Sequence, residues 1–357
     1  MTRPGLTLIV PGDPDQPTGG YRYDARIADE LRALGWPVAV VGLPGRFPDA
    51  DEAARTALDR TLADPPDDAL VIVDGLALGG LPDLAERHAD RLTLVGLVHH
   101  PLADETGLGA GARERFEALE SRALAACRRV ITTSPFTARR VARMGVDPAR
   151  VGTVEPGVAP AEAVTAPDRA ARCREQRLLC VGSLSPRKGQ DVLIEALTGL
   201  VDRAWRLTLV GDAGRDPVFA RRVERQVAAA GLSARIRFAG ACAADGLESH
   251  YRDADLVVVP SHYEGYGMVV TEALARGLPL VATTGGALAD TVPGDAALRV
   301  APGDAAALAD ALRRWLDAPE TRAELVGAAL AARARLGDWP RAGRRFERQL
   351  AIAREAS

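Results

Sequence analysis

Short apolar runs alternate with segments of helical periodicity along this chain, and that alternation limits the folds open to it. Residues 6–10 predict a strand, residues 21–34 an amphipathic helix, and residues 38–41 a second strand after the helix stop at 35–37. Strand, helix and strand at this spacing indicate a parallel sheet, so the expected class is α/β. Further strands are predicted at 69–73 (followed by a turn at 74–75), 92–98, 130–133, 177–181, 206–210, 236–238, 256–259 and 280–283, and further helices at 51–62, 111–127, 136–144, from about 190, at 305–316, at 320–336, and from the break at 337–340 to about 354.

The length of 357 residues exceeds what one ordinary core accommodates and suits two domains. Hydrophobic residues make up 47% of the chain and charged residues 26%, values typical of a globular protein. The net charge of -3 argues against a general nucleic-acid-binding role. No apolar run approaches membrane-spanning length, and residues 1–10 lack the pattern of a signal peptide. We therefore expect a cytoplasmic protein without a transmembrane segment.

Cysteine and histidine give no sign of a metal centre or a disulfide framework. The chain has only five histidines, and its cysteines are scattered without C-x-x-C spacing. This pattern indicates neither a zinc site nor a disulfide-stabilised fold. The four cysteines are Cys127, Cys173, Cys180 and Cys242.

The strongest chemical signal lies in residues 255–276. A predicted strand at 256–259 and a predicted helix at 268–275 flank a polar loop that contains glycine. Glycine lets the backbone approach a ligand closely, and the helix directs its free N–H groups and positive dipole end to the same place, which suits an anion. Glu264 and Glu272 cannot bind phosphate, so we expect them to accept hydrogen bonds from hydroxyls. Phosphate together with hydroxyls suggests a nucleotide sugar.

Glu264 and Glu272, with seven residues between them in E-G-Y-G-M-V-V-T-E-A-L, resemble the E-x7-E signature of the family 4 (GT4) retaining glycosyltransferases. The strand before them and the sequence A-x-G-x-P-x-V-A-T after them make the match specific. The resemblance is strong over about the C-terminal half and weaker over the rest. It implies the GT-B fold, in which two Rossmann-like parallel-sheet domains face a cleft. The implied bounds are 1–165 for an N-terminal domain on the acceptor side, completed by a crossing helix at 338–357, and 173–337 for the donor domain, with an exposed linker at 159–172.

A second segment, G-S-L-S-P-R-K-G at 182–189, precedes a predicted helix that begins near Gln190. Two adjacent cations beside a helix N-terminus suit a diphosphate, because arginine forms a bidentate fork and lysine supplies a point charge. The resemblance implies that Arg187 and Lys188 neutralise the β-phosphate of the donor, and that residues 237–241 border the nucleotide base. The remaining donor contacts that it implies come from Gly182, Ser183, Arg237, Gly240, Gly265, Tyr266, Gly267 and Met268.

Two features of the N-terminal half follow predicted strands, at the edge where open α/β sheets bind ligands. Gly19 and Gly20 follow the first strand, and the resemblance implies that they face donor phosphate or acceptor; a loop that merely turns is the alternative. His99 and His100 follow the strand at 92–98, where family members place a histidine close to the donor sugar. Because adjacent side chains point in opposite directions, one of the two is expected to enter the cleft, and the sequence does not choose between them. Ordinary surface or capping histidines are the alternative.

The resemblance implies transfer of a hexosyl group from a nucleoside diphosphate sugar with retention at the anomeric carbon. Arg187, Lys188 and the helix N-terminus near Met268 are expected to stabilise charge on the leaving diphosphate, so neither a metal, a cofactor nor an enzymic base is needed. We expect Glu264 to bind sugar hydroxyls and Glu272 the ribose diol. The candidate catalytic set is Arg187, Lys188, Glu264, His99 and His100, and Glu272 is a donor-binding residue. A nucleotide-sugar epimerase, a phosphorylase-like enzyme and a non-catalytic nucleotide-sugar sensor are the competing interpretations.

The sequence leaves the substrates partly open. A UDP-sugar is favoured as donor and a GDP-sugar comes next, whereas the acceptor could be a small molecule, a lipid or a peptide. The mixed charges of the helix at 111–127 permit peripheral membrane contact, but a solvated helix face is favoured. The sequence indicates no oligomeric state.

Overall fold

The computed structural model describes residues 3–16, 18–164 and 175–355. The chain divides into two units, one formed by residues 1–157 with 337–357 and the other by residues 158–336. Much of the linker predicted at 159–172, the predicted domain boundaries at 165 and 173, and Cys173 lie outside the described residues. Among the described residues, every helix is too short or too polar to span a bilayer.

The first unit contains a parallel sheet in the order β2-β1-β3-β4-β5-β6. Its central strands are buried along their whole length, which explains why they read as continuous apolar runs. The edge strand β2 is only partly buried, as one open side predicts. The strands are β1 (Leu6–Pro11), β2 (Val38–Leu43), β3 (Leu70–Asp74), β4 (Thr93–Val98), β5 (Arg129–Thr132) and β6 (Val151–Thr153), and the helices are α1 (Gly19–Ala33), α2 (Glu52–Ala63), α3 (Gly75–Leu78), α4 (Pro82–His88), α5 (Ala110–Ala126) and α6 (Pro135–Arg143).

The second unit repeats this plan with a parallel sheet in the order β12-β11-β10-β7-β8-β9. Apolar side chains from its two faces form two separate clusters under the flanking helices. The strands are β7 (Gln176–Val181), β8 (Trp205–Val210), β9 (Ile236–Gly240), β10 (Leu256–Val259), β11 (Leu280–Thr283) and β12 (Ala297–Val300), and the helices are α7 (Gln190–Thr198), α8 (Pro217–Ala229), α9 (Ala244–Asp253), α10 (Met268–Ala275), α11 (Leu288–Thr291), α12 (Ala305–Asp317) and α13 (Pro319–Arg333).

Each sheet is doubly wound, and this topology determines where ligands can bind. The strand order reverses beside β1, between β1 and β3, and again beside β7, between β7 and β10. Loops that leave neighbouring strands in opposite directions open a crevice at the carboxyl ends, which is the usual ligand site of such sheets. The expected α/β class with two parallel, Rossmann-like sheets is confirmed.

The last helix, α14 (Trp339–Glu355), belongs to the first unit. It packs against α1, β4 and β5, with Phe346 and Leu350 fully buried. Asp338 caps its first turn by accepting a hydrogen bond from the Arg341 backbone N–H at 2.8 Å. The crossing helix expected from the fold is therefore present, and it begins at Trp339, just before the end of the predicted break.

Some local predictions need correction. Residues 74–75 were expected to form a turn, but α3 begins at Gly75 because Asp74 Oδ1 accepts a hydrogen bond from the Leu76 N–H at 2.6 Å. The helix predicted at 320–336 ends at Arg333. Elements that the periodicity did not predict are α4, α8, α9, α11, β6 and β12.

Candidate functional site

Three loops meet at the strand reversal of the second sheet. They follow β7, β10 and β11, and backbone hydrogen bonds join them: His262 N–H donates to Arg187 O at 2.8 Å, and Ala287 N–H donates to Glu264 O at 2.8 Å. Glycine makes this approach possible, since Gly189 has a φ of +65° and a Cβ there would overlap the carbonyl oxygen of Pro260. The loop that carries Glu264 is therefore fixed between its two neighbours.

Glu264 is the centre of a charged cluster. The residue is 6% exposed, and its carboxylate accepts hydrogen bonds from Lys188 Nζ at 2.6 Å, Arg187 at 3.2 Å and Ser261 Oγ at 2.7 Å. Burial alone would raise the pKa of Glu264, but Lys188 and Arg187 outweigh it and lower the pKa to about 2. We name Glu264, Lys188, Arg187 and Ser261 the Glu264 cluster.

The geometry of this cluster adds a second role to the one expected for Glu264. The sequence suggested a carboxylate open to sugar hydroxyls, whereas its oxygens already accept from three donors of its own chain. The direct effect of Glu264 is to orient the two cations. The Lys188 ammonium has three N–H donors and makes no other hydrogen bond among the described residues, so its remaining donors are available to an anion.

Lys188 is also unusual in composition, a feature that the motif analysis did not use. It is the only lysine among the 45 basic side chains of the chain. Everywhere else the chain uses arginine, yet here it has a compact ammonium. The stem of that side chain lies over Gly182, where an added Cβ would stand 3.2 Å from Lys188 Cδ. A point charge on a slender stem therefore suits this position better than a planar guanidinium does.

Buried Gln190 was also missed by the sequence reasoning. It is the first residue of α7 and only 1% exposed, and its side-chain N–H groups donate to Gly182 O at 3.3 Å and to Ser183 O at 3.1 Å. These bonds hold the turn that contains both predicted donor residues. The signal available in the sequence was a polar residue at a position that periodicity assigns to the buried side of the helix.

The N-terminus of α10 lies in the same loop as Glu264. Gly267 precedes the helix with a φ of +90°, and Met268 is its first residue. Unpaired N–H groups at a helix start carry partial positive charge, so this end adds to the attraction that Lys188 and Arg187 exert on an anion. Gly265 and Tyr266 are half-buried in the loop between Glu264 and the helix.

Glu272 lies in the second turn of α10 and is held by a tyrosine. The Tyr251 hydroxyl donates to Glu272 Oε2 at 2.8 Å, and the guanidinium of Arg276 lies 4.4 Å from the Tyr251 ring centroid. Tyr251 comes from α9 and is fully buried. No motif in the sequence pointed to Tyr251, because its contact with Glu272 depends on how two helices pack.

Two of the predicted donor residues lie at different ends of β9. Gly240 ends the strand, and its carbonyl accepts from Gly211 N–H at 2.9 Å. Arg237 stands three residues earlier, about 10 Å along the strand. Its exposed side chain lines a groove of about 410 Å³ at the amino-terminal ends of β7, β8 and β9, together with Arg177 and Arg206. The structure therefore does not bring the Arg237 side chain to the Glu264 cluster.

In the first unit, His99 lies at the strand reversal together with two aspartates. Its Nε2 lies 3.0 Å from Asp24 Oδ1 and 3.3 Å from Asp74 Oδ2. Gly20 is next to the ring, since an added Cβ would stand 3.4 Å from His99 Cδ2, and Gly19 begins the same helix. We name Asp24, Asp74 and His99 the aspartate–histidine cluster.

His100 points elsewhere and pairs with Glu105, with 3.3 Å between His100 Nε2 and Glu105 Oε2. Of the two histidines, His99 is therefore the one that packs against Gly20 at the start of α1, whereas Gly19 has open space around the position of a Cβ.

Two models of known protein families match this chain. A model described as glycosyl transferase 4-like domain matches residues 7–157, and a model described as glycosyl transferases group 1 matches residues 175–318. Together the two matches span well over half of the chain. The chain belongs to the family 4 glycosyltransferases. The second match contains every member of the Glu264 cluster, and the first contains the aspartate–histidine cluster.

Curated relatives of this family 4 glycosyltransferase include two named D-inositol 3-phosphate glycosyltransferase. The protein of Acidothermus cellulolyticus is 34% identical over 229 residues, which is 59% of this chain and 50% of the relative. The protein of Kineococcus radiotolerans is 34% identical over 255 residues, which is 65% of this chain and 58% of the relative. The chain thus spans only about half to three fifths of the length of these relatives.

Solved structures resemble this family 4 glycosyltransferase over nearly its whole length. Sucrose-phosphate synthase of Thermosynechococcus elongatus aligns with a TM-score of 0.82 at 24% identity, covering 99% of this chain and 100% of that one. Anabaena HepE, solved in complex with UDP and glucose, aligns with a TM-score of 0.76 at 19% identity, covering 98% and 100%. At these identities the likeness concerns the fold, and it confirms the GT-B fold.

Proposed function

We propose that this chain transfers a hexosyl group from a nucleoside diphosphate sugar to an acceptor, with retention at the anomeric carbon. The observation that carries the proposal is the Glu264 cluster, which presents Lys188 and Arg187 beside the N-terminus of α10 at the strand reversal of the second sheet. A UDP-sugar is the favoured donor and a GDP-sugar the next.

The chemistry follows from where charge develops. When the bond from the sugar to the diphosphate breaks, negative charge collects on phosphate oxygens. Lys188, Arg187 and the helix N-terminus are held in place before that moment, so they stabilise the charge without reorganisation. Two fixed side-chain cations supply this stabilisation themselves, and we infer that the reaction needs no metal. Turnover that persists in excess EDTA would support this inference, and turnover restored only by a divalent cation would contradict it.

Glu272 is proposed to bind the ribose diol of the donor. Its Oε2 accepts from the Tyr251 hydroxyl at 2.8 Å, a contact that fixes the direction of the carboxylate. A carboxylate has about four lone-pair positions and only accepts hydrogen bonds, which suits the two hydroxyls of a diol.

A thermal-shift panel tests the donor site. The full chain is mixed with UDP, GDP, ADP and TDP and with their common sugar conjugates, without added metal. We expect one nucleotide to raise the melting temperature selectively, since a ligand at a hundred times its dissociation constant adds about 2.7 kcal/mol to stability. Glu272→Ala should lose the shift, whereas the exposed Glu324→Ala on α13 should keep it. No shift with any nucleotide would contradict the proposal.

Release of nucleoside diphosphate tests the reaction itself. With the donor identified, release should require an acceptor, and D-inositol 3-phosphate, which is in the names of the relatives, is the first to test. Lys188→Ala should lower the rate by about 30-fold to 1,000-fold, the range for removing one charged contact to the transition state. NMR of the product should show the anomeric configuration of the donor. Donor turnover without any acceptor would instead indicate an epimerase.

A further inference from the structure

The segment that follows β4 is held against α5 by a buried carboxyl group. We name residues 101–105 the β4 loop, and Leu102–Asp104 within it form a single 3-10 turn. The side chain of Glu120, on α5, reaches this loop and accepts a hydrogen bond from the Leu102 backbone N–H at 2.8 Å. Glu120 is fully buried, and its Oε1 has no hydrogen-bond partner among the described residues. A carboxyl group from the middle of a helix thus anchors the loop.

The surroundings of Glu120 favour its neutral form. An ionised carboxylate costs far more to bury than a carboxylic acid does. The charged groups that act on Glu120 from neighbouring elements are Asp104 of the β4 loop, Arg140 of α6 and Asp74 at the end of β3. Arg140 Nε donates to Asp104 Oδ1 at 3.1 Å, so its charge is largely balanced. Burial raises the pKa of Glu120 to about 8, and the bond from Leu102 lowers it only in part.

The cover over Glu120 is thin on the side of the loop. Leu102, Ala103 and Phe116 form a small apolar cluster of their own, separate from the large cluster of the first unit. On its other side, Glu120 meets the end of α3, where an added Cβ on Gly79 would stand 3.2 Å from Glu120 Cγ. A region with few buried apolar contacts opens locally at a low cost in free energy. The β4 loop is therefore the part of the cover that can open and let water reach the carboxyl group.

We propose that Glu120 is a proton-dependent latch: with its proton it holds the β4 loop closed, and without its proton it draws in water and the loop opens. The loop leaves β4 at the carboxyl edge of the sheet, where sheets of this kind bind ligands. The latch therefore makes the order of that edge depend on pH. The inference depends on contacts within the first unit alone and not on the proposed function.

The direction of the pH dependence follows from the two states of the loop. In the open loop Glu120 has an ordinary pKa of about 4.3, whereas in the closed loop its pKa is about 8. The latch is fully effective below about pH 4, and opening becomes about tenfold easier with each pH unit up to about pH 8, where the dependence levels off. Arg140 lowers the pKa of Glu117, so Glu117 stays ionised over this range.

Hydrogen exchange of the Leu102 amide tests the latch. Exchange in the ¹⁵N-labelled full chain is followed by NMR between about pH 5 and pH 8, and each rate is divided by the intrinsic rate of that amide at the same pH. The opening constant should rise by about tenfold for each pH unit. Glu120→Gln keeps an oxygen for the Leu102 N–H and is always neutral, so its opening constant should stay level. Glu114→Gln, at an exposed position on α5, is the matched control and should keep the wild-type slope.

Two results of this experiment would overturn the proposal. One is a Leu102 opening constant that does not change with pH in the wild-type chain. The other is a Leu102 amide that exchanges only together with the amides of β3 and β4, because the whole unit would then open and the loop would have no latch of its own.

NMR of ¹³C-labelled glutamate carboxyl groups measures the proton itself. The signal that is absent in Glu120→Gln identifies Glu120, and in the wild-type chain this signal should titrate near pH 8. Titration in the ordinary glutamate range, near about pH 4.3, would overturn the proposal. If Glu120→Gln does not fold, the wild-type exchange slope and a glutamate signal that titrates near pH 8 still decide.

Discussion

At the scale of single residues, a substitution at Lys188 tests whether the donor site needs the shape of the lysine side chain as well as its positive charge. Lys188→Arg keeps the positive charge but replaces a compact ammonium by a planar guanidinium. The new group does not fit both the contact with buried Glu264 and the path of the stem over Gly182. We expect nucleoside diphosphate release to fall by about tenfold or more, and the nucleotide-induced thermal shift to shrink.

The matched control for this substitution is the reverse exchange at an exposed position. Arg221→Lys on α8 should leave both measurements unchanged, because Arg221 is exposed. If Lys188→Arg were as active as the wild-type chain, the positive charge alone would matter. The interpretation that the Glu264 cluster requires a compact ammonium would then be wrong.

At the scale of elements, the loop after β7 depends on one backbone conformation. Gly189 combines a φ of +65° with a path that would bring any Cβ onto the carbonyl of Pro260. Gly189→Ala should therefore lower the free energy of unfolding by about 1 to 3 kcal/mol and separate the loops that hold Lys188 and Glu264. Denaturant unfolding measures the first effect, and nucleotide binding the second.

Gly231 supplies the control, because it has a φ of +68° and open space around the position of a Cβ. Gly231→Ala should cost only the strain of the left-handed conformation, about 1 kcal/mol, with nucleotide binding unchanged. Equal effects of the two alanines on stability and binding would mean that the contact with Pro260 is unimportant.

The elements also show what could be read from the sequence. The strand at 256–259 and the helix at 268–275 were predicted at the bounds that the structure has. Both are apolar, the strand lies between Asp255 and Pro260, and the helix follows Gly267. Parallel strands gather their carboxyl ends at one edge, so the approach of the Arg187 and Glu264 loops followed from topology. The pairs Tyr251–Glu272 and Asp24–His99 join residues 21 and 75 positions apart and depend on helix packing, which no local pattern encodes.

At the scale of the whole molecule, α14 makes the first unit depend on residues from the end of the chain. Phe346 is fully buried in that unit, so Phe346→Ala should destabilise it by about 3 to 5 kcal/mol. Hydrogen exchange should then lose protection in β1, β4 and β5 while β7 and β10 keep theirs. Ile352→Ala, at a position on the same helix that is 42% exposed, should change neither. Equal loss of protection in both units would mean that they unfold as one.

The return of the chain to its first unit has a consequence during synthesis. The second unit is continuous from residue 158 to residue 336, whereas the first needs residues 337–355 to cover α1 and β5. On the ribosome, the second unit can complete its core while the first still waits for its last helix. The unit that is translated first is thus the last to complete its core. Until α14 packs on α1 and β5, the apolar surface of that unit is accessible to chaperones.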